Sequence, residues 1–335
     1  MSQIEVTEKA KLPSFSIIVE TENLATAELE GLYRSLDSIA SQDLSPELAK
    51  EVLILESGDV PQEMMEQLTN KYPWLSMRRI SADVDYYAAK MKGVSLTTGD
   101  VIVLADSDCI YQPNWLRNLL APFAEDNVNV VAGETTTSAE GVYGLAIALT
   151  YIFPRFSHSN NLEKTQYYFC NNVAFRRSFL AKYPIPVDLP IYRGNCVIHA
   201  NSLMKQGETI WKQPNSRACH AAPNGGAHFF WRFLLYGYDA LLIYRLKQTE
   251  KKTIFQPIVE LFISFALGLY KVMVAAKRLI DVAIEQPRYL LNLPIAIFIA
   301  LTSLLLYFVG LIISYFRPNY FLSKEGKVEV NWEHS

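Results

Sequence analysis

The chain has 335 residues, half of them hydrophobic and 19% charged, which excludes a disordered or fibrous protein. Its 31 Lys and Arg nearly cancel its 34 Asp and Glu, so no basic excess points to nucleic-acid binding. The apolar surplus, beyond what one or two soluble cores need, predicts a membrane segment.

Residues 1–14 form a polar lead-in with no apolar run, so no signal peptide is expected. Phe15–Ser16–Ile17–Ile18–Val19 predicts a buried strand. Leu29, Leu32, Tyr33, Leu36 and Ile39 then recur at helical spacing between Thr26 and Ser41. Glu51–Val52–Leu53–Ile54–Leu55 predicts the next strand, closed by the turn residues Ser57–Gly58–Asp59. A helix from Pro61 to Tyr72, a strand from Ser76 to Ile80 and a helix from Tyr86 to Thr98 follow, with Gly99 expected to stop the last. Val101–Ile102–Val103–Leu104–Ala105 is a wholly apolar strand, before a helix over Pro113 to Ala124 and a strand over Asn129 to Ala132. Strands alternating with helices of this length predict a parallel sheet covered by helices on both faces. Ligands of such sheets sit beyond the carboxyl ends of the strands. The four cysteines, Cys109, Cys170, Cys196 and Cys219, form no CxxC pair and are expected as reduced thiols, not a disulfide framework or a zinc site.

Asp106–Ser107–Asp108 leaves the end of the most apolar strand. Two carboxylates two residues apart can share one hard cation, and oxygen ligands suit Mg2+ or Mn2+, which also take phosphate oxygens. Such a cation would neutralise a diphosphate leaving group. The same residues also suit an ordinary turn; their place after a buried strand favours the site.

Five segments carry a resemblance. In chain order, FSIIVETEN (Phe15–Asn23), EVLILESGD (Glu51–Asp59), DYYAAKMKGVSLTTGDVIVLADSD (Asp85–Asp108), VVAGETT (Val130–Thr136) and FCNNVAFRRSFL (Phe169–Leu180) resemble those of a family 2 glycosyltransferase with the GT-A fold. The resemblance implies an α/β protein with a mixed, mostly parallel Rossmann-like sheet, flanking helices and C-terminal membrane helices. It also implies transfer of a sugar from a nucleotide-sugar donor with Mn2+ or Mg2+. Glu20 would stand at the nucleotide loop, Glu56 beside the base, and Asp106 and Asp108 on metal and diphosphate. His220 would be a late third metal ligand. Lys90 would face phosphate, or else be a solvated surface lysine.

Two departures accompany the resemblance. Glu20–Thr21–Glu22–Asn23 stands where the family usually has Pro-Thr-Tyr-Asn, and it lacks the Gly-rich cradle of a nucleotidyltransferase. Gly194–Asn195–Cys196 stands where the family usually has Gly-Glu-Asp, whose second carboxylate is the general base of inverting members. Asn takes no proton at neutral pH. A base would come from Asp188, His199 or Glu134; or an acceptor phosphate, already an anion, needs none; or the domain binds without catalysing.

Leu293 to Phe316 is 24 residues without a charge, about 36 Å of helix, enough to cross a hydrocarbon core of ~30 Å. Residues 258–276 are apolar except Glu260 and Lys271. Those two lie about 20° apart around a helix, a polar stripe that suits an interfacial helix or a span facing a partner helix. The resulting organisation is a lead-in over 1–14, a glycosyltransferase domain over 15–250, a membrane-associated region over 254–316 and a polar tail over 317–335. Tail positives Arg317, Lys324 and Lys327 favour a cytoplasmic C-terminus. The expected function is metal-dependent transfer of a sugar to a lipid-linked or cell-envelope glycan acceptor, with the catalytic domain at the cytoplasmic face of a membrane. The alternative is a non-catalytic nucleotide-sugar-binding or scaffolding module.

Overall fold

The computed structural model describes residues 12–21, 29–58, 60–248 and 255–321. Most of the lead-in, Glu22 and Asn23 of the first loop, Thr26, Asp59, and Lys324 and Lys327 of the tail lie outside the described residues. The chain divides into two compact units. One comprises the residues up to Thr136, Phe156–Val187 and His199–His220; the other comprises Thr137–Arg155, Asp188–Ile198 and the residues from Ala221.

The first unit is built on a mixed sheet. Strands β1 (Phe15–Glu20), β2 (Val52–Glu56), β3 (Leu75–Arg79) and β4 (Val101–Asp106) run parallel in the order β3-β2-β1-β4. Helices α1 (Leu29–Ala40), α2 (Gln62–Lys71) and α3 (Tyr86–Leu96) connect them in turn. The chain continues through β5 (Cys109–Tyr111), α4 (Trp115–Leu120) and β6 (Val130–Thr137). It leaves this unit for α5 (Gly141–Thr150) and returns with β7 (Glu163–Thr165), β8 (Asn172–Arg176) and α6 (Arg177–Lys182). After α7 (Asn195–Lys205), β9 (Ile210–His220) completes the sheet. Strand β8 lies between β4 and β6, antiparallel to both, and β9 pairs antiparallel with β5 and β7.

Every residue of β1 and β4 is buried. On one face Ile17, Val19, Val101 and Val103 share a core with Leu32, Leu36 and Ile39 of α1 and Leu116 and Leu119 of α4. On the other, Ile18 meets α3 so closely that a Cβ on Gly93 would lie 2.6 Å from its Cγ2. Cover on both faces is why these strands read as unbroken apolar runs instead of alternating ones. Truncating one such residue to Ala costs about 2–5 kcal/mol, more than any single surface pair on this unit contributes. Gly99 does not stop α3, which ends at Leu96 with Thr97 as its cap. A Cβ there would stand 2.4 Å from the carbonyl carbon of Phe15, so glycine lets the chain enter β4 hard against β1.

The second unit is helical. Beside α5 it contains α8 (Gly225–Lys247), α9 (Gln256–Glu285) and α10 (Leu293–Phe316). Helices α9 and α10 form an antiparallel hairpin. Near the start of α9 the Pro257 carbonyl accepts from the Tyr315 hydroxyl at 3.1 Å, and near its end Val282 packs with Ala296 and Ala300. Helix α8 touches α10 backbone to backbone. A Cβ on Gly237 would fall 1.9 Å from the Tyr307 carbonyl oxygen, and one on Gly310 2.0 Å from that of Leu234. The polar stripe of α9 is turned inward. Arg245 of α8 holds Glu260 at 2.7 Å and donates to the Ser314 carbonyl at 2.8 Å, while Lys271 donates to the Tyr151 carbonyl and the Tyr236 hydroxyl. Both charges of the stripe thus find polar partners inside the unit. Ile295, Phe298, Leu301, Leu305, Ile312 and Phe316 of α10 remain exposed, an apolar face of the kind that anchors a helix in lipid. Helices α9 and α10 are both long and apolar enough to cross a membrane.

Candidate active site

The carboxyl ends of β1, β2 and β4 bring Glu20, Glu56 and Asp106 to one edge of the sheet, with Glu20 and Asp106 in register. The turn after Asp106 is fixed before any ligand arrives. Ser35 donates to the Asp106 carbonyl at 3.2 Å, and the Asp106 N–H donates to the Tyr111 hydroxyl at 2.8 Å. Tyr111 passes its own proton to the Asn171 carbonyl at 3.0 Å.

Asp106 and Asp108 meet different partners. The Asp106 carboxylate takes the Lys90 ammonium at 2.6 Å and the Tyr86 hydroxyl at 3.0 Å. Lys90 is 0% exposed and also donates to the Ala105 carbonyl at 2.7 Å. Its burial works to lower its pKa, but the carboxylates of Asp106 and Glu20 overcome this and raise it. Lys90 is therefore neither a solvated surface lysine nor a phosphate-facing one. It neutralises Asp106 from beneath. Burial, and then the Asp106 charge, push the Tyr86 phenol well above its ordinary range, so it stays a proton donor. Asp108 instead turns to β9, where its Oδ2 lies 3.2 Å from His220 Nε2. Asp108, Cys109 and His220 gather their ligand atoms within 4.8 Å of one another, a cluster that does not include Asp106. The pairing of Asp108 with His220 joins residues 112 apart in sequence.

Glu56 is buried at the end of β2 with both oxygens engaged. One accepts the N–H groups of Gly58 and Val60, and the other accepts Arg79 Nε at 2.8 Å. In this structure it anchors its own loop, and no oxygen is left facing a base.

The candidates for general base are held just as differently. Glu134, at the end of β6, accepts the Ser157 N–H at 2.9 Å and pairs with Lys212 at 3.2 Å, with Arg217 at 3.9 Å. His199 is buried with both ring nitrogens in use. Nε2–H donates to the Tyr183 carbonyl at 2.9 Å, and Nδ1 accepts the Tyr168 hydroxyl at 2.6 Å. A nitrogen already accepting one proton donor cannot take another from an acceptor sugar, so His199 is not placed as a base. Asp188 is exposed on the loop before α7, in the second unit. Asn195 and Cys196 are buried at the start of α7, after Gly194 at φ +114°. Asp239 of α8, which the sequence did not single out, fixes this approach by accepting the N–H groups of Tyr192 at 2.9 Å and Arg193 at 2.8 Å.

Burial lowers the His199 pKa from 6.5 to about 4, which gives a stability prediction. The folded protein keeps the imidazole neutral while the unfolded chain protonates it near pH 6.5. Its contribution is thus complete above pH 6.5 and is lost as pH falls toward 4, by up to about 3 kcal/mol. Denaturant unfolding of the parent and His199→Phe between pH 7 and 4.5 should show a steeper loss in the parent. Parallel slopes would mean the ring is solvated.

The family model for glycosyl transferase family 2 matches residues 16–183, half of the chain. The chain belongs to glycosyl transferase family 2. Among curated relatives, polypeptide N-acetylgalactosaminyltransferase 8 of Drosophila melanogaster is 34% identical over 123 residues, 35% of this chain and 20% of that protein. Glycosyltransferase AglE of Haloferax volcanii is 27% identical over 124 residues, 36% of this chain and 39% of that protein. The chain thus matches well under half the length of either relative. Of solved structures, the mannosyltransferase PcManGT from Pyrobaculum calidifontis, in complex with GDP-Man and Mn2+, superposes with a TM-score of 0.59 at 17% identity. That match covers 95% of this chain and 91% of that one. GalNAc-T7 with UDP, GalNAc and Mn2+ gives 0.53 at 14% identity over 64% of this chain and 44% of that one. These two establish the GT-A fold of this family 2 chain.

The donor set fits a divalent cation. Carboxylate and imidazole converge at Asp108 and His220, and Ser107 between the aspartates buries a hydroxyl with no hydrogen-bond partner. Such an orphan is what an added ligand shell satisfies.

Proposed function

We propose that the protein is an active, divalent-metal-dependent glycosyltransferase that moves a sugar from a nucleotide-sugar to an acceptor carried by a membrane. The observation that carries the reading is the divided acidic pair. Asp106 is already neutralised by Lys90 and hydrogen-bonded by Tyr86, whereas Asp108 faces His220 and would hold a cation with it. A bound cation neutralises charge developing on the departing diphosphate. Asp106, rigid on its buried lysine, positions the nucleotide beside it, because a fixed carboxylate loses no freedom when a donor binds. Glu20 stands next to Asp106 on the same edge and belongs to the nucleotide side of the site.

The acceptor follows from what is missing. Asn195 and Cys196 supply no base, and Glu134 and His199 are committed elsewhere. A phosphate oxygen attacks as a ready anion and needs none. The α9–α10 hairpin supports an acceptor held at a bilayer, which makes a polyprenyl phosphate the substrate class of choice. With both ends of the hairpin on one side, a catalytic unit on the cytoplasmic face meets the nucleotide-sugar supply. The remaining route is Asp188 acting on a sugar hydroxyl.

The test is nucleotide release by the purified protein in detergent, across a panel of nucleotide-sugars, with and without Mn2+ and with a polyprenyl phosphate or sugar acceptors. Release that requires metal and polyprenyl phosphate is expected. Use of sugar hydroxyls alone would transfer the role to Asp188. Nucleotide binding without turnover on any pair would leave the non-catalytic module.

A further inference from the structure

Cys109 follows the acidic triplet, and its sequence neighbours give it no role. In the fold it opens β5 directly opposite His220, its Cα partner across the β5–β9 ladder. Opposed residues on antiparallel strands put their side chains on one face. Register alone therefore brings a thiol to the imidazole. The sulfur lies 3.9 Å from Asp108 Oδ1, and the other oxygen of that carboxylate lies 3.2 Å from His220 Nε2. One carboxylate thus bridges a thiol and an imidazole nitrogen, and their ligand atoms all lie within 4.8 Å. A cation at their centre would stand about 2.0–2.3 Å from each, so the side chains need to close by about an ångström. Cys219, one residue earlier on β9, faces the other way opposite the exposed Ile110.

We infer that Cys109 is a ligand of the cation held by Asp108 and His220 and that it sets which metal the enzyme accepts. The inference rests on the metal-dependent reading above. Binding replaces the thiol proton, which leaves to solvent, by a metal–sulfur bond, with no change of oxidation state. An oxygen set with water suits Mg2+, whereas one thiolate and one imidazole shift preference toward softer ions. The site therefore takes Mn2+ over Mg2+, and Zn2+ or Cd2+ more tightly still, displacing Mn2+.

The experiment titrates the full-length protein in detergent with Co2+, with UDP or with GDP present, and follows the absorption spectrum. The parent should show a sulfur-to-cobalt charge-transfer band beside the weaker ligand-field bands. Cys109→Ser should lose the first and keep the second, and its Cd2+ affinity by calorimetry should fall at least the roughly tenfold that even outer partners of a metal cost. Should Cys109→Ser fail to fold, a variant with Cys170, Cys196 and Cys219 all changed to Ser decides the matter, because the band must persist there. Ligand-field bands without a charge-transfer band in the parent overturn the role of Cys109 and leave the metal reading intact. So does a band that survives Cys109→Ser or vanishes in the triple variant. No cobalt bound by the parent with either nucleotide overturns both.

Discussion

Asp108→Asn is expected to lower kcat/KM at least about 10^3-fold while the protein stays folded. A divalent cation supplies several kcal/mol of charge stabilisation to a departing diphosphate, and each 1.36 kcal/mol is about tenfold in rate. The substitution removes one full charge from the pair, Asp108 and His220, that would hold the cation. An amide keeps the size of the carboxylate and still meets His220, so the β5–β9 pairing has no reason to open. Nucleotide release across a range of Mn2+ concentrations, with thermal unfolding as the control, checks this. Parental activity with unchanged Mn2+ dependence would move the cation away from Asp108. His220→Gln provides the second view of the same site. It should weaken Mn2+ binding and leave the nucleotide-side residues Asp106 and Glu20 as they are.

The parallel half of the sheet is legible in the sequence because its strands are buried on both faces. Runs such as Val101 to Ala105 have no other stable home, and the acidic turn after them marks a strand end. The antiparallel half is harder. Strands β5 and β7 are three residues each, too short for any periodicity, and β8 inserts between β4 and β6 by a choice no local pattern records. The site divides along the same line. Asp106 and Asp108 are visible as a pair, but their unlike fates depend on which neighbour reaches each one. Lys90 sits on α3, and a lysine on a helix reads as solvent-facing; only the packing of α3 over β1 and β2 turns it inward, so that it reaches the Ala105 carbonyl. Cys109 is silent in sequence because its partner His220 is set by strand register. The engagement of His199 and Glu134, two candidate bases, comes from backbone groups and cations distant in sequence.

The strip of α9 charges follows a similar logic. Glu260 and Lys271 appear as a polar stripe, and the sequence leaves open whether water or protein covers it. The fold answers with Arg245, Tyr236 and the Tyr151 carbonyl. A hairpin with its charges covered in this way presents apolar residues outward, which is the arrangement a bilayer demands.

Lys90→Met is expected to destabilise the first unit by about 3–5 kcal/mol, the usual result of leaving one member of a buried pair behind. Water does not reach the Asp106 carboxylate to replace the ammonium, because it is enclosed by Tyr86 and the ends of β1 and β4. Lys90 also lies over the Tyr86 ring at 4.8 Å and bonds the Ala105 carbonyl, so the substitution removes those interactions as well. Urea unfolding of the parent and variant measures the loss. The double variant Lys90→Met with Asp106→Asn should recover most of it, because a neutral amide can keep the Tyr86 hydrogen bond without a buried charge. The two changes are therefore strongly non-additive. Recovery of stability should not bring back nucleotide binding, which needs the Asp106 carboxylate held in place. A Lys90→Met protein as stable as the parent would mean that Asp106 is solvated and free to share the cation with Asp108. The division of labour between the two aspartates would then fall.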